Sequence, residues 1–181
     1  MAKVLQPTKS GRIALLKAVL IFFGGLVFFF WVLNNAWIFQ HIIGPYTGWV
    51  AFVSTVIFNL FGQAATQAGP MVTVGGTSLS IATGCNGVEA LALYFSAVLA
   101  FPTDWKKKVL GLAFGLIGIF IINQVRVAGL FLVAMAKPEI LEVAHNYAGQ
   151  TFVIVIGMAC FWLWAERFAG PLNAKNSSNA R

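Results

Sequence analysis

A cysteine, an arginine and a histidine, far apart in the chain, are of types that together suit thiol chemistry. Cys85 lies in Gly84-Cys85-Asn86-Gly87-Val88-Glu89, where an uncharged, partly polar segment meets a new apolar helix beginning at about Asn86. A thiol just ahead of a helix faces unpaired backbone N–H groups and the positive end of the helix dipole, which favour a thiolate. Arg126 interrupts an apolar block, where a guanidinium costs roughly 2.5–3.5 kcal/mol at the centre of a span and less near its end. Asn123 precedes it on the same helical face, so a polar stripe points one way. Glu89 sits one turn into the helix after Cys85 and either pairs with Arg126 or only neutralises it. His145 falls near the end of another apolar segment and supplies a group able to move protons. Each residue also has a plain structural reading. Cysteines in membrane proteins are often small apolar fillers, as Cys160 within an apolar run is expected to be. Arg126 could snorkel to an interface, loop histidines are common, and His41 competes with His145.

The elements that must position these groups are membrane helices. Of 181 residues, 59% are apolar and only 9% charged, against roughly 25% charged in soluble domains. The net charge of +7 does not indicate nucleic acid, because the basic residues flank apolar blocks in the pattern of orientation signals. Two cysteines make no disulfide framework. A metal site has no His-Glu-x-x-His or Cys-x-x-Cys spacing to support it. Gly75-Gly76-Thr77-Ser78 is neither a phosphate loop nor a nucleophile elbow, and no cofactor is expected.

Taken in order, residues 1–12 form a short basic N-terminus, followed by an apolar run from Ile13 to Leu33 long enough to span ~30 Å of hydrocarbon. The rival, a cleaved signal peptide, calls for an apolar region of only ~7–15 residues. From Asn34 to Gly84 there is no Lys, Arg, Asp or Glu. The cluster Asp104-Trp105-Lys106-Lys107-Lys108 belongs on the cytoplasmic side, so the helix from Asn86 to Pro102 runs inward. Parity then keeps 34–84 outside. The apolar stretch 46–62 becomes an interfacial or re-entrant helix, with Trp49 and Phe52 at headgroup level; the alternative is a true crossing with a hidden return. Alternating residues around Gly75-Gly76 signal a small outer β-hairpin, whose edge an extended peptide could join, or else an irregular loop.

Val109 to Ala136 is the next span, with Gly111-x-x-x-Gly115 as a small-residue packing face. An outer loop is expected through His145, then a last span from Ala148 to Ala165 and a disordered cytoplasmic tail over 169–181. Ten of the twelve basic residues then lie inside. The expected fold is an all-α integral membrane protein with four transmembrane helices, one interfacial or re-entrant helix and the hairpin. Residues 13–168 form its single membrane-embedded domain. This topology brings Cys85, Arg126 and His145 to one outer surface.

Gly84-Cys85-Asn86-Gly87, Asn123-x-x-Arg126 and His145-Asn146, each at the end of an apolar helix, resemble the exosortase/archaeosortase family of membrane protein-sorting enzymes. The resemblance runs from about Pro45 to Trp164. Many members have Ser where this chain has Asn86, and the chain is shorter than the multi-span exosortases. Both features, with the Ala100-Phe101-Pro102 helix end, are similar to the compact branch called exosortase H. The resemblance implies a multi-pass protein of the bacterial cytoplasmic (inner) membrane with its site facing the periplasm or exterior. Its substrates would be C-terminal sorting tails of exported proteins, built from a short motif, a transmembrane helix and a basic end. In the compact branch the motif resembles Ile-Pro-Thr-Leu followed by Trp-Gly. Cleavage would be followed by transfer to an acceptor amine. In such an enzyme Cys85 would form a thioacyl intermediate and His145 would shuttle the proton. Arg126 would stabilise the oxyanion, with Asn123, Glu89 and Asn86 in support. Two other readings stay open: a non-catalytic assembly factor or small-anion carrier using Arg126, and a plain membrane cysteine protease releasing its product by hydrolysis.

Overall fold

In lipid, long apolar runs satisfy their backbone groups internally only as helices or closed barrels, and this chain is mostly helix. The computed structural model describes residues 9–81 and 84–169. The expected basic N-terminus lies largely outside these residues, and the expected tail, 169–181, lies outside them except for Ala169, which is buried at the end of the last helix. Helix α1 spans Lys9–Leu33, starting ahead of Ile13. Asn35 then caps the next helix, its side-chain oxygen accepting from the N–H groups of Trp37 at 3.0 Å and Ile38 at 3.3 Å. That helix, α2, runs over Ala36–Leu60, well before the expected start at 46. A π-helical turn at Phe39–Ile43 accommodates Pro45, which has no N–H to donate into the turn behind it.

Three short antiparallel strands follow: β1 Ala65–Ala68, β2 Met71–Val74 and β3 Thr77–Ser80, in the order β1-β2-β3. The β2–β3 hairpin turns at Gly75 and Gly76, with φ of 57° and 83°, a pair of left-handed positions that only glycine adopts readily. Strand β1 was not foreseen. Its Ala-Thr-Gln-Ala sequence carries no alternation, and Asn59 anchors it by bonding both backbone groups of Ala65, at 3.1 and 3.0 Å.

Helix α3 covers Val88–Ala100, α4 covers Trp105–Ala136 and α5 covers Pro138–Ala169. Among the described residues four helices, α1, α2, α4 and α5, are long and apolar enough to cross a membrane, and the protein is a multi-pass membrane protein. The number matches the expectation, but the membership differs. Helix α2 reaches spanning length, whereas α3, with 13 residues, covers only about 20 Å. The side chains of α2 nevertheless engage one end of the bundle. Thr47 bonds Asn86, Trp49 stacks on Phe120, Ser54 bonds Gln124 and Phe58 meets Phe131 edge-on. All four partners lie between Phe120 and Phe131 of α4 or in the turn before α3.

The lysine end is closed by the lysines themselves. Lys107 Nζ donates to the Ala169 carbonyl at 3.1 Å and Lys108 Nζ to the Leu99 carbonyl, so ammonium groups meet the carbonyl-rich ends of α5 and α3. Trp164, fully buried, donates to the Lys107 carbonyl. The Gly111-x-x-x-Gly115 face receives aromatic rings, Trp164 over Gly111 and Tyr94 over Gly115. Tyr94 also donates its hydroxyl to the Gly111 carbonyl at 3.1 Å.

Candidate active site

Cys85 sits in the turn that ends at Gly87, whose φ of 82° lies in the left-handed region. A Cβ there would also stand 3.2 Å from Cγ of Asn123, so glycine is required twice over. Asn86 fixes the turn from inside: its Oδ1 accepts from the Val88 N–H at 3.2 Å, and its amide donates to the Thr47 hydroxyl at 3.0 Å. Asn123 donates to the Cys85 carbonyl at 2.8 Å. The loop is thereby tied to α2 and α4, with Cys85, Asn86, Asn123 and Arg126 all buried.

The helix-end placement of the thiol does not make it acidic at rest. Burial pushes the Cys85 thiol up from its ordinary value; Arg126 pulls it down and Glu89 adds to the rise. The group facing it is His145, with Nδ1 at 3.1 Å and Nε2 at 3.9 Å from Sγ. His145 lies on a helix and not in the expected loop: Leu141–Val143 is α-helical and Ala144–Gly149 forms a π-helical turn within α5. Pro138 occupies a first-turn position that suits it, so Lys137-Pro138 marks a corner between helices.

Arg126 reaches across between the two segments. Its guanidinium donates to the Gly84 carbonyl from Nη1 and to the His145 carbonyl from Nη2, at 3.5 Å for the latter. Nε is buried without a partner among the described residues. Glu89 accepts from the Gly84 N–H at 2.9 Å. The carboxylate and the guanidinium therefore hold opposite ends of the Gly84 residue that leads into Cys85. The competing histidine, His41, stacks on Trp37 with its Nδ1 2.9 Å from the Trp37 carbonyl oxygen. Cys160 packs in a separate apolar cluster with Tyr94 and Trp164.

Two residues outside the expected set prove to shape the site. Thr47 binds Asn86, and Gly149 leaves room for Arg126, since a Cβ on it would stand 2.8 Å from Nε. A glycine four residues after a candidate histidine, inside an apolar pattern, was the only sequence signal for the second. Thr47 had none. The Cys85–His145 pair opens into a cavity of about 290 Å³. Among the described residues no group of three or more His, Cys, Asp or Glu could hold a metal ion.

Apolar helices around a buried thiol and a half-buried imidazole define a multi-pass membrane protein with a candidate cysteine-type site. The family model described as Transmembrane exosortase (Exosortase_EpsH) matches residues 13–163, and the chain belongs to the transmembrane exosortase family. No curated protein and no solved structure matches it.

Proposed function

We propose that this exosortase is a cysteine endopeptidase/transpeptidase acting on C-terminal sorting tails of exported proteins. Residues 13–168 form its membrane-embedded unit in a bacterial inner membrane, and the site faces the periplasm or exterior. The observation that carries the reading is the 3.1 Å separation of Cys85 Sγ from His145 Nδ1, inside the region that matches the family. His145 takes the thiol proton as Sγ attacks the scissile carbonyl. Positive charge from Arg126 faces the oxyanion, a contribution on the order of 3 kcal/mol for a well-placed donor. The imidazolium returns the proton to the leaving amine, leaving an acyl thioester on Cys85. An acceptor amine then attacks that thioester, with His145 again as base, and the thiol is regenerated. Glu89, Asn123 and Asn86 hold the loop in place. A site recessed among helices restricts water, which lets the thioester await an amine. The tail motif is of the Ile-Pro-Thr-Leu…Trp-Gly type, in keeping with the compact branch. In cells carrying a tagged sorting-tail precursor, Cys85→Ala is expected to accumulate uncut precursor; continued processing removes the mechanism. Mass spectrometry of the processed C-terminus separates transfer from hydrolysis.

A further inference from the structure

Strand β3 has β2 on one side and, among the described residues, no strand on the other. The Ile81 N–H continues the ladder to the Pro70 carbonyl at 2.9 Å. Because antiparallel strands direct alternate residues toward the partner, Thr77, Leu79 and Ile81 face β2. The backbone N–H and C=O groups of Ser78 and Ser80 point to the free side. Leu79, Ser80 and Ile81 line the same cavity as Cys85, Glu142, His145 and Asn146.

We infer that β3 is the docking edge for the substrate: an extended peptide segment joins it as a fourth strand, and its scissile carbonyl is thereby delivered to Cys85. The inference rests on the reading of Cys85 as the nucleophile. The cavity is lined by β3 residues as well as by Cys85 and His145, so a chain pairing with β3 at about 4.8 Å would share the space that holds the thiol. A peptide supplies the N–H and C=O groups that pair with Ser80. A lipid acyl chain would leave those groups, the Glu142 carboxylate and the Asn146 amide unmatched.

The test uses the full chain in lipid nanodiscs and a pooled library of short peptides, each ending in a vinyl sulfone. The thiolate adds across the vinyl group, and the adduct rate at Cys85 is read by mass spectrometry. The fastest peptides are then resynthesised with each backbone nitrogen methylated in turn. Strand addition predicts a loss of about tenfold, the scale of one hydrogen bond, at alternate positions and little change between them. Ser80→Pro, tolerated on an edge strand where the lost N–H points outward, is expected to slow the same peptides about tenfold, while iodoacetamide still labels Cys85. The methylation series needs no variant and stands whether or not Ser80→Pro folds. Adducts that form without any alternation overturn strand docking and leave the nucleophile intact. If iodoacetamide labels Cys85 but no peptide does, the proposed function falls, and this inference with it.

Discussion

Sγ of Cys85 and Nδ1 of His145 lie 3.1 Å apart, although 60 positions separate the residues in the chain. With the thiol buried and its acidity weakened, the imidazole has to remove the proton as the sulfur attacks. His145→Gln keeps a side chain of similar size but cannot accept that proton. It is expected to slow precursor processing by about 10²–10⁴-fold, the scale of general base catalysis. Cys160→Ala is the control, because that residue packs in the apolar cluster at the other end of the bundle. Total loss of processing in Cys160→Ala would mean that the wrong thiol has been chosen.

The charges beside the sulfur make a signed pH prediction. Glu89 raises the Cys85 thiol and Arg126 lowers it, while burial dominates and raises it overall. The reactive fraction of the thiol therefore grows with pH, and its midpoint lies above that of an ordinary cysteine at about 8.5. Glu89→Gln keeps an oxygen able to accept from the Gly84 N–H but removes the negative charge. The pH profile of Cys85 alkylation by iodoacetamide should move to lower pH in this variant. A profile that stays in place, or moves upward, would assign Glu89 to loop structure alone.

The candidate residues stood out in the sequence because polar groups are scarce in it. Arg126 stood out in an apolar block, and parity from the Lys106–Lys108 cluster placed it with Cys85 and His145. The Gly75-Gly76 turn was readable because two adjacent positive φ angles require that chemistry. What stayed hidden depends on tertiary contact. Strand β1 exists because Asn59 grips Ala65, a pairing that no local propensity announces. Pro138 looked like the start of a loop, yet proline suits a first helical turn, and the helix carries His145. Acidity was misjudged for a similar reason: the helix end favours a thiolate locally, but burial, invisible in one sequence, outweighs it.

Packing at the lysine end is testable apart from the chemistry. A Cβ on Gly115 would stand 2.0 Å from Cε1 of Tyr94, so Gly115→Ala must displace a ring that is itself hydrogen-bonded to Gly111. Overpacking of this kind costs about 1–3 kcal/mol. The melting temperature in nanodiscs should fall, and Tyr94→Leu in the same chain should restore part of the loss by making room. An unchanged melting temperature for Gly115→Ala would show that the α3–α4 contact is looser than the structure has it.

Gly149 gives the sharpest test of Arg126, because it acts on the guanidinium without touching its charge. A Cβ at this position would meet Nε at 2.8 Å, and the Ala144 carbonyl oxygen at 3.3 Å blocks an easy escape. Gly149→Ala should therefore shift Arg126 away from the Gly84 and His145 carbonyls that it now joins. Displacement of about 1 Å in a reacting constellation can cost on the order of 10²-fold in rate, and processing is expected to fall on that scale. Because Arg126 lowers the Cys85 thiol, its withdrawal should also move the alkylation profile to higher pH, opposite to Glu89→Gln. A purely structural defect would lower the melting temperature and leave that profile where it was. Gly157→Ala is the matched control, on the same helix with nothing within 4 Å of the added carbon. If the two alanine variants behave alike, Arg126 does not need the space that Gly149 leaves, and its role as the link between the cysteine loop and the histidine helix is lost.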